Sequence, residues 1–185
     1  MEHEHFNAPR LYVEADLGPG TLVALGHEQA NYVGNVMRLG TGDMLHVFNG
    51  RDGLWRAEVR TSGRKRLEIA VQALVRGQDG GPDLHYLFAP LKRARLDYMV
   101  QKAVEMGASR LQPVMTRHTV ADRVNLERMR ANAIEAAEQC GILRIAEIAA
   151  PVALAELVAG WSPGRRLVLC DEAAQFMTRT DGQNL

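Results

Sequence analysis

The residues of this sequence that could do chemistry are mainly cations, placed at helical and strand-end spacings. Lys92 and Arg93 precede a helical stretch, and Arg95 and Lys102, seven apart, fall on nearly the same side of it. Thr116-Arg117-His118 follows a strand-like run, at the carboxyl end where open α/β sheets bind ligands. Ahead of them stand Arg10, Arg38 and the basic tip Ser62-Gly63-Arg64-Lys65-Arg66. Forked guanidinium donors suit phosphate, so Arg10, Arg38 and the tip could contact a nucleic-acid backbone, although cations at hairpin tips are more often just solvated. A second polar set, Arg128, Asn132, Glu135 and Gln139, recurs at helical spacing and reads either as a solvated face or as a binding face. Asp171-Glu172 is an acid pair with neither a histidine nor a metal partner. No P-loop, GxGxxG, GxSxG or HExxH occurs. Cys140 and Cys170 match no metal spacing and no disulfide framework, and His3 with His5 lies at a terminus, so no metal site is expected.

The elements that position these residues divide at Gly77–Pro82 (GQDGGP), a flexible linker between domains at 1–76 and 83–185. The first domain reads as a small, mostly antiparallel β unit, long enough to close as a barrel. Its strands fall at 11–13, 21–25, 44–48, 54–59 and 67–75, with Asn49–Gly53 as a hairpin turn. One helix from His27 to Leu39, with Ala30, Val33, Gly34 and Met37 as its small face, should stop at Gly40. Trp55, Ala57 and Val59 alternate against Leu54, Arg56 and Glu58, and Leu67, Ile69, Val71 and Ala73 share a face.

The second domain alternates strand and helix, which implies a parallel sheet. A strand at 84–89 leads to a helix from Ala94 to Met106, striped by Leu96, Met99, Val100, Ala103 and Met106 and ended by Gly107. The strand at 111–115 contains Pro113, which places it near an edge or a bend. A helix from Val124 to Cys140 should bury Leu126, Met129, Ala133, Ala136, Ala137 and Cys140 before Gly141 stops it. An extended piece at 148–151 and a short helix at 153–158 precede Arg166–Cys170, which reads as a buried parallel strand. A sheet that ends on such a strand without a covering helix is expected to be incomplete and to leave apolar surface exposed.

Of 185 residues, 46% are hydrophobic and 24% charged, the make-up of an ordinary globular protein. Lys and Arg number 22 against 22 Asp and Glu, so no global charge announces a polyanion partner. Locally, Pro82 to Ile145 holds ten cations against seven acids. No apolar run approaches the roughly 20 residues that span a bilayer. The start MEHEHFNAPR lacks an apolar signal core, and the expectation is a cytoplasmic protein with free thiols.

Several short strings together resemble one family. They are Pro9-Arg10-Leu11-Tyr12, Val36-Met37-Arg38-Leu39 with Gly40 and Gly42, and Phe48-Asn49-Gly50 in the first domain. In the second they are Lys92, Val100-Gln101-Lys102-Ala103 with Glu105 and Gly107, Pro113, Arg117, and Glu135-Ala136-Ala137-Glu138-Gln139 with Gly141 and Arg144. The chain resembles the 16S ribosomal RNA (uracil-N3)-methyltransferases, SPOUT-class enzymes with an N-terminal PUA-like RNA-binding domain. The resemblance implies an α/β fold plus a small β-barrel: a PUA-like β domain, then a SPOUT-type (alpha/beta knot) parallel-sheet domain that is incomplete at its C-terminus. It departs at Ala146, where the family usually has proline. It also breaks off after Glu172-Ala173-Ala174, before the GPEGG-type loop and the later loop that form the family's knot. The implied chemistry is transfer of a methyl group from S-adenosylmethionine to N3 of a uridine in 16S rRNA of the small ribosomal subunit, with a proton acceptor that stays unassigned. The implied assembly is a homodimer. By the same resemblance Arg10, Arg38, Lys92, Arg95, Lys102 and Arg117 would hold RNA backbone, and Glu135, Gln139 and Arg144 would border the RNA or the target base. Cys170, Asp171 and Glu172 would begin the cofactor pocket. The alternative is a non-catalytic RNA-binding remnant of that family.

Overall fold

The computed structural model describes residues 8–62, 66–119 and 123–170. The first sheet contains β1 (Arg10–Tyr12), β2 (Leu22–Ala24), β3 (Met44–Phe48), β4 (Leu54–Ser62) and β5 (Arg66–Arg76) in the order β1-β3-β4-β5-β2. β1 runs parallel to β3, and the other neighbours are antiparallel. Among the described residues no ladder joins β1 to β2, so the sheet is a half-barrel. Val23, Leu45, Val47, Ala57, Val59, Ile69 and Val71 fill its inside. The β3–β4 turn is fixed by Asn49, whose Oδ1 accepts from the Arg51 and Asp52 amides at 3.1 and 2.9 Å. Gly53, at φ 88°, has no room for a side chain: a Cβ would lie 2.5 Å from the Arg76 carbonyl.

The expected single helix between β2 and β3 takes a different form. α1 (His27–Asn31) passes into a π-helical turn at Tyr32–Val36, and the left-handed residue that ends it is Arg38, at φ 58°, not Gly40. The Leu39 amide closes on the Val33 carbonyl at 3.0 Å around that bend. The wider turn puts Val33 alone fully inside the core and leaves Tyr32 and Val36 exposed.

The second sheet is parallel throughout: β6 (His85–Phe88), β7 (Arg110–Met115) and β8 (Glu147–Ile148) in that order, with β9 (Val152–Ala153) also on β7. α2 (Arg93–Glu105) joins β6 to β7, α3 (Leu126–Cys140) joins β7 to β8, and α4 (Leu154–Ala159) follows β9. Leu96, Val100 and Val104 of α2 meet Met129, Ala133, Ala136 and Ala137 of α3 over Phe88 and Leu111. The alanines let the two helices approach closely.

Four expectations fail here for identifiable reasons. Pro113 sits in the central strand, not at an edge. Its missing N–H falls in the gap between the β8 and β9 ladders, where the Gln112 amide bonds the Pro113 and Ala150 carbonyls instead. Met106 is 79% exposed, because the buried stripe steps by four through Val104 and the chain turns at Gly107. Cys140 is exposed because Leu143, beyond the left-handed Gly141, fills that part of the core. Arg166–Cys170 forms no ladder among the described residues, and Leu169 is 83% exposed. An apolar run of β-formers specifies an extended chain but does not supply its neighbour.

The two sheets share one core at their junction, because Phe48 and Leu54 of the first lie buried among the residues of the second. Phe48→Ala is therefore expected to cost about 3–5 kcal/mol. In urea, Trp55 in the first domain and Trp161 in the second should report one coincident transition in the parent protein. Separate transitions in the parent would contradict a shared core.

Candidate nucleic-acid interface

In a parallel sheet of βα units, every strand ends where a helix begins, so helix starts gather at the carboxyl edge. β6 ends at Phe88 and its chain reaches Lys92, which caps α2 in an extended conformation with no side-chain hydrogen bond. β7 ends at Met115 in a turn closed by Thr119, whose Oγ1 accepts from the Thr116 amide at 2.7 Å. Arg117 and His118 are exposed on that turn. α3 starts at Asn125, whose side chain accepts from the Arg128 amide at 2.9 Å.

Between the first turns of α2 and α3 lies a cleft of about 1060 Å³. Lys92, Arg93, Arg95, Arg123 and Arg128 line it, and among the described residues Asp97 is the one carboxylate in the lining. Leu96 and Met129 form an apolar floor. The amide ends of two helices add partial positive charge to that of the side chains. The cleft has the room and the charge for an anion longer than a single phosphate.

Asp97 connects its two walls. Its carboxylate accepts from Arg128 Nε at 2.9 Å and from a terminal guanidinium nitrogen at 2.6 Å, and from Asn132 at 2.8 Å. The Arg128 bond, with help from Asn132, holds the Asp97 carboxyl below the usual carboxylate range, and the same pair raises Arg128. Half of the polar stripe on α3 thus belongs to a helix-to-helix clamp. Lower on the helix, Gln139 donates to Glu135 at 3.4 Å.

The sequence-derived candidates disperse. Lys92 and Arg95 line the cleft, and Arg117 stands on the same edge of the sheet. Lys102 lies further along α2, paired with Glu105 at 2.6 Å and 5.6 Å from the centre of the Tyr98 ring. Arg38 is exposed on the first domain. Arg144 is half-buried and donates to the carbonyls of Gly80 and Pro82 in the linker. Cys170 is exposed, and Asp171, Glu172 and the Arg64-Lys65 tip lie outside the described residues, as do His3 and His5. Arg123 and Asp97 do not stand out in the sequence. Their signals are slight: one cation two residues before a cap, and one acid among the cations of a helix start.

Arg10 also points inward, to the end of α3. Its guanidinium lies against Gly141, where a Cβ would sit 3.1 Å from Arg10 Cζ, and it donates to the Glu138 carbonyl at 3.5 Å. The Tyr12 amide donates to Glu138 Oε1 at 2.7 Å, Arg76 donates to the Gly141 carbonyl at 2.6 Å, and Arg130 donates to the Tyr12 hydroxyl at 3.1 Å. Burial raises the Glu138 carboxyl above its ordinary value; the Tyr12 amide opposes this, and the nearby Glu135 charge adds to it.

The architecture is that of a half-barrel β domain joined to a parallel α/β domain with a cationic carboxyl edge. The family model "RNA methyltransferase domain" matches residues 80–184, more than half of the chain, and "RNA methyltransferase PUA domain" matches residues 25–72. The chain belongs to the RNA methyltransferase domain family. It is 28% identical over 131 residues to Ribosomal RNA small subunit methyltransferase E of Rickettsia conorii, covering 70% of this chain and 54% of that one. To the protein of the same name from Buchnera aphidicola it is 26% identical over 151 residues, covering 78% and 60%. The chain thus spans between half and two thirds of the length of these relatives. Its fold is that of a Legionella pneumophila protein solved in complex with S-adenosylmethionine, with a TM-score of 0.80, 24% identity and coverage of 91% and 73%. It is likewise that of Ribosomal RNA small subunit methyltransferase E from Neisseria gonorrhoeae, at TM-score 0.75, 22% identity and coverage of 85% and 67%. Among the described residues no helix is long and apolar enough to cross a membrane, and no cluster of three or more metal-binding side chains occurs.

The raised Glu138 carboxyl has a defined pH signature. A carboxyl raised on folding favours the protein while protonated, and that contribution is lost as pH rises from the ordinary value of about 4.3 through the folded one. Glu138→Gln keeps an acceptor for the Tyr12 amide and removes the charge. Its melting temperature relative to the parent is expected to climb across that interval and then level off. Parallel stability curves at all pH values would rule this out.

Proposed function

We propose that this chain binds ribosomal RNA of the small subunit through the cleft between α2 and α3, and that the activity it serves is methylation of uridine N3 with S-adenosylmethionine as donor. The observation that carries the reading is the set of five cations around one carboxylate at the sheet's carboxyl edge, in a chain whose formal charge is zero. Membership of the RNA methyltransferase domain family, and the names of the relatives, support the chemistry.

Lys92, Arg93, Arg95 and Arg123 offer donors to successive phosphates, with Arg128 held in place by Asp97. Arg117 extends the cationic edge along the turn after β7, and Arg38 offers a separate anchor on the first domain. Lys102, Glu135 and Gln139 remain candidates for the RNA border on the outer faces of α2 and α3, while Arg10 and Arg144 are half-buried and donate to backbone carbonyls. The domain boundary belongs at 77–82. Homodimerisation, as the family resemblance implies, would cover apolar surface such as Leu167, Val168 and Leu169.

S-adenosylmethionine supplies an electrophilic methyl group, and its adenine needs apolar surface on both faces. Among the described residues near the candidate Cys170, Leu167, Val168 and Leu169 are 52, 75 and 83% exposed, so none of them encloses the donor. These residues alone do not make a pocket for the donor, so no step is routed through it. The part of the reaction assigned to this chain is to hold the RNA and bring the target base to the carboxyl edge.

Binding to purified small ribosomal subunits tests the reading. Alanine at Lys92, Arg93 and Arg95 together should weaken binding, and the slope of log affinity against log salt should flatten by about 0.7–0.9 for each phosphate that the variant no longer neutralises. A slope equal to that of the parent would remove the cleft from the interface. Tritium transfer from labelled donor to subunit RNA, with the product identified as N3-methyluridine, tests the chemistry. A different methylated nucleoside would overturn the uridine assignment.

A further inference from the structure

We propose that α3 is a strut that sets the first domain's angle to the cleft, with Arg10, Arg76, Glu138 and Gly141 as positioning residues for RNA held by both domains. The inference rests on the RNA-binding reading above. At 1.5 Å per residue, the 15 residues of α3 span about 22 Å. The first turn of α3 lines the cleft, where Arg128 and Asn132 clamp Asp97 of α2. Its last turn lies against the first domain.

A helix ends in carbonyls without partners and a partial negative charge, which a cation usually offsets. The last turn of α3 contains no basic residue. The first domain supplies the cations instead: Arg10 donates to the Glu138 carbonyl and Arg76 to the Gly141 carbonyl. In return, the Glu138 carboxylate accepts from the backbone of β1 at Tyr12. Gly141 is required twice, for its left-handed φ of 68° and for the flat seat it gives the Arg10 guanidinium. Apolar burial of Phe48 and Leu54 holds the domains together but is not directional, whereas these hydrogen bonds fix an angle. An RNA that touches both Arg38 and the cleft gains from the second site only when the spacing matches. The grip thus raises RNA affinity through residues that do not touch RNA.

Residual dipolar couplings on the parent, Gly141→Ala and Arg76→Ala read domain orientation directly, and Arg76 is exposed enough for its variant to fold. The parent should fit a single alignment tensor and each variant should need two. Affinity for small ribosomal subunits should fall about tenfold in both variants, with a flatter salt slope. Binding of an oligouridylate of about four nucleotides, which fills one site, should not change. A single tensor in both variants overturns the strut. A flattened slope in Arg76→Ala alone makes Arg76 a direct phosphate ligand and overturns the positioning role, as does an equal loss for subunits and oligouridylate. If the parent binds no subunits, the functional reading fails, and the dipolar couplings alone then decide whether α3 couples the domains.

Discussion

Phe48 and Leu54 pair across the β3–β4 hairpin, and both are buried in the core made by α2, α3, β6 and β7. The rest of the molecule depends on that insertion. The turn between them is held by Asn49, whose amide also donates to the Ala15 carbonyl and to Asp52. Its Gly50 stands so near Ile145 of the second domain that an added Cβ would lie 3.4 Å from Ile145 Cγ1. A hairpin that would otherwise have one wet face has its second face covered by another domain. That is why Leu54 is buried although it shares a strand face with Arg56 and Glu58.

From that fixed junction, the parallel sheet determines where charge collects. A neutral chain produces a cationic cleft because two βα connections deliver their basic residues to the same edge, while several acids pair with cations away from it: Glu105 beside Lys102, Glu147 beside Arg110, Asp83 beside Arg165 and His85. Pairing of this sort at an exposed surface adds little stability. Its larger consequence is to leave the carboxyl edge as the place where cations outnumber acids.

Much of this is legible in the sequence. Period-four apolar spacing marks α2 and α3, alternation marks β4 and β5, and Asn49-Gly50 marks the hairpin. The misses occur where a residue's state is set by something distant. Pro113 can sit in a central strand because β8 and β9 leave a gap beside it, and that gap belongs to residues 149–151. Arg38 takes a left-handed φ because the π turn before it displaces the helix end by a residue, which no local propensity announces. Arg10 is a phosphate candidate by type and Arg144 an RNA-border candidate by resemblance, and both also donate to backbone carbonyls. Whether a guanidinium faces solvent or a backbone carbonyl depends on how two domains meet, and spacing within one segment does not contain that information.

α3 brings these threads to one physical object. Its peptide dipoles are aligned, so its two ends need opposite partners. The amino end opens on a cleft lined with cations, where the helix charge and the side chains add together, opposed by Asp97 in the lining and Glu127 in the first turn. The carboxyl end is closed by Arg10 and Arg76, so cations of the first domain offset the negative pole. A lysine at either position would bring a point charge without the planar fork that lies on Gly141 or reaches past it to a carbonyl. The same helix thus presents one pole to the cleft and the other to its neighbouring domain. The burial that raises Glu138 arises because the neighbouring domain has to come close enough to do this.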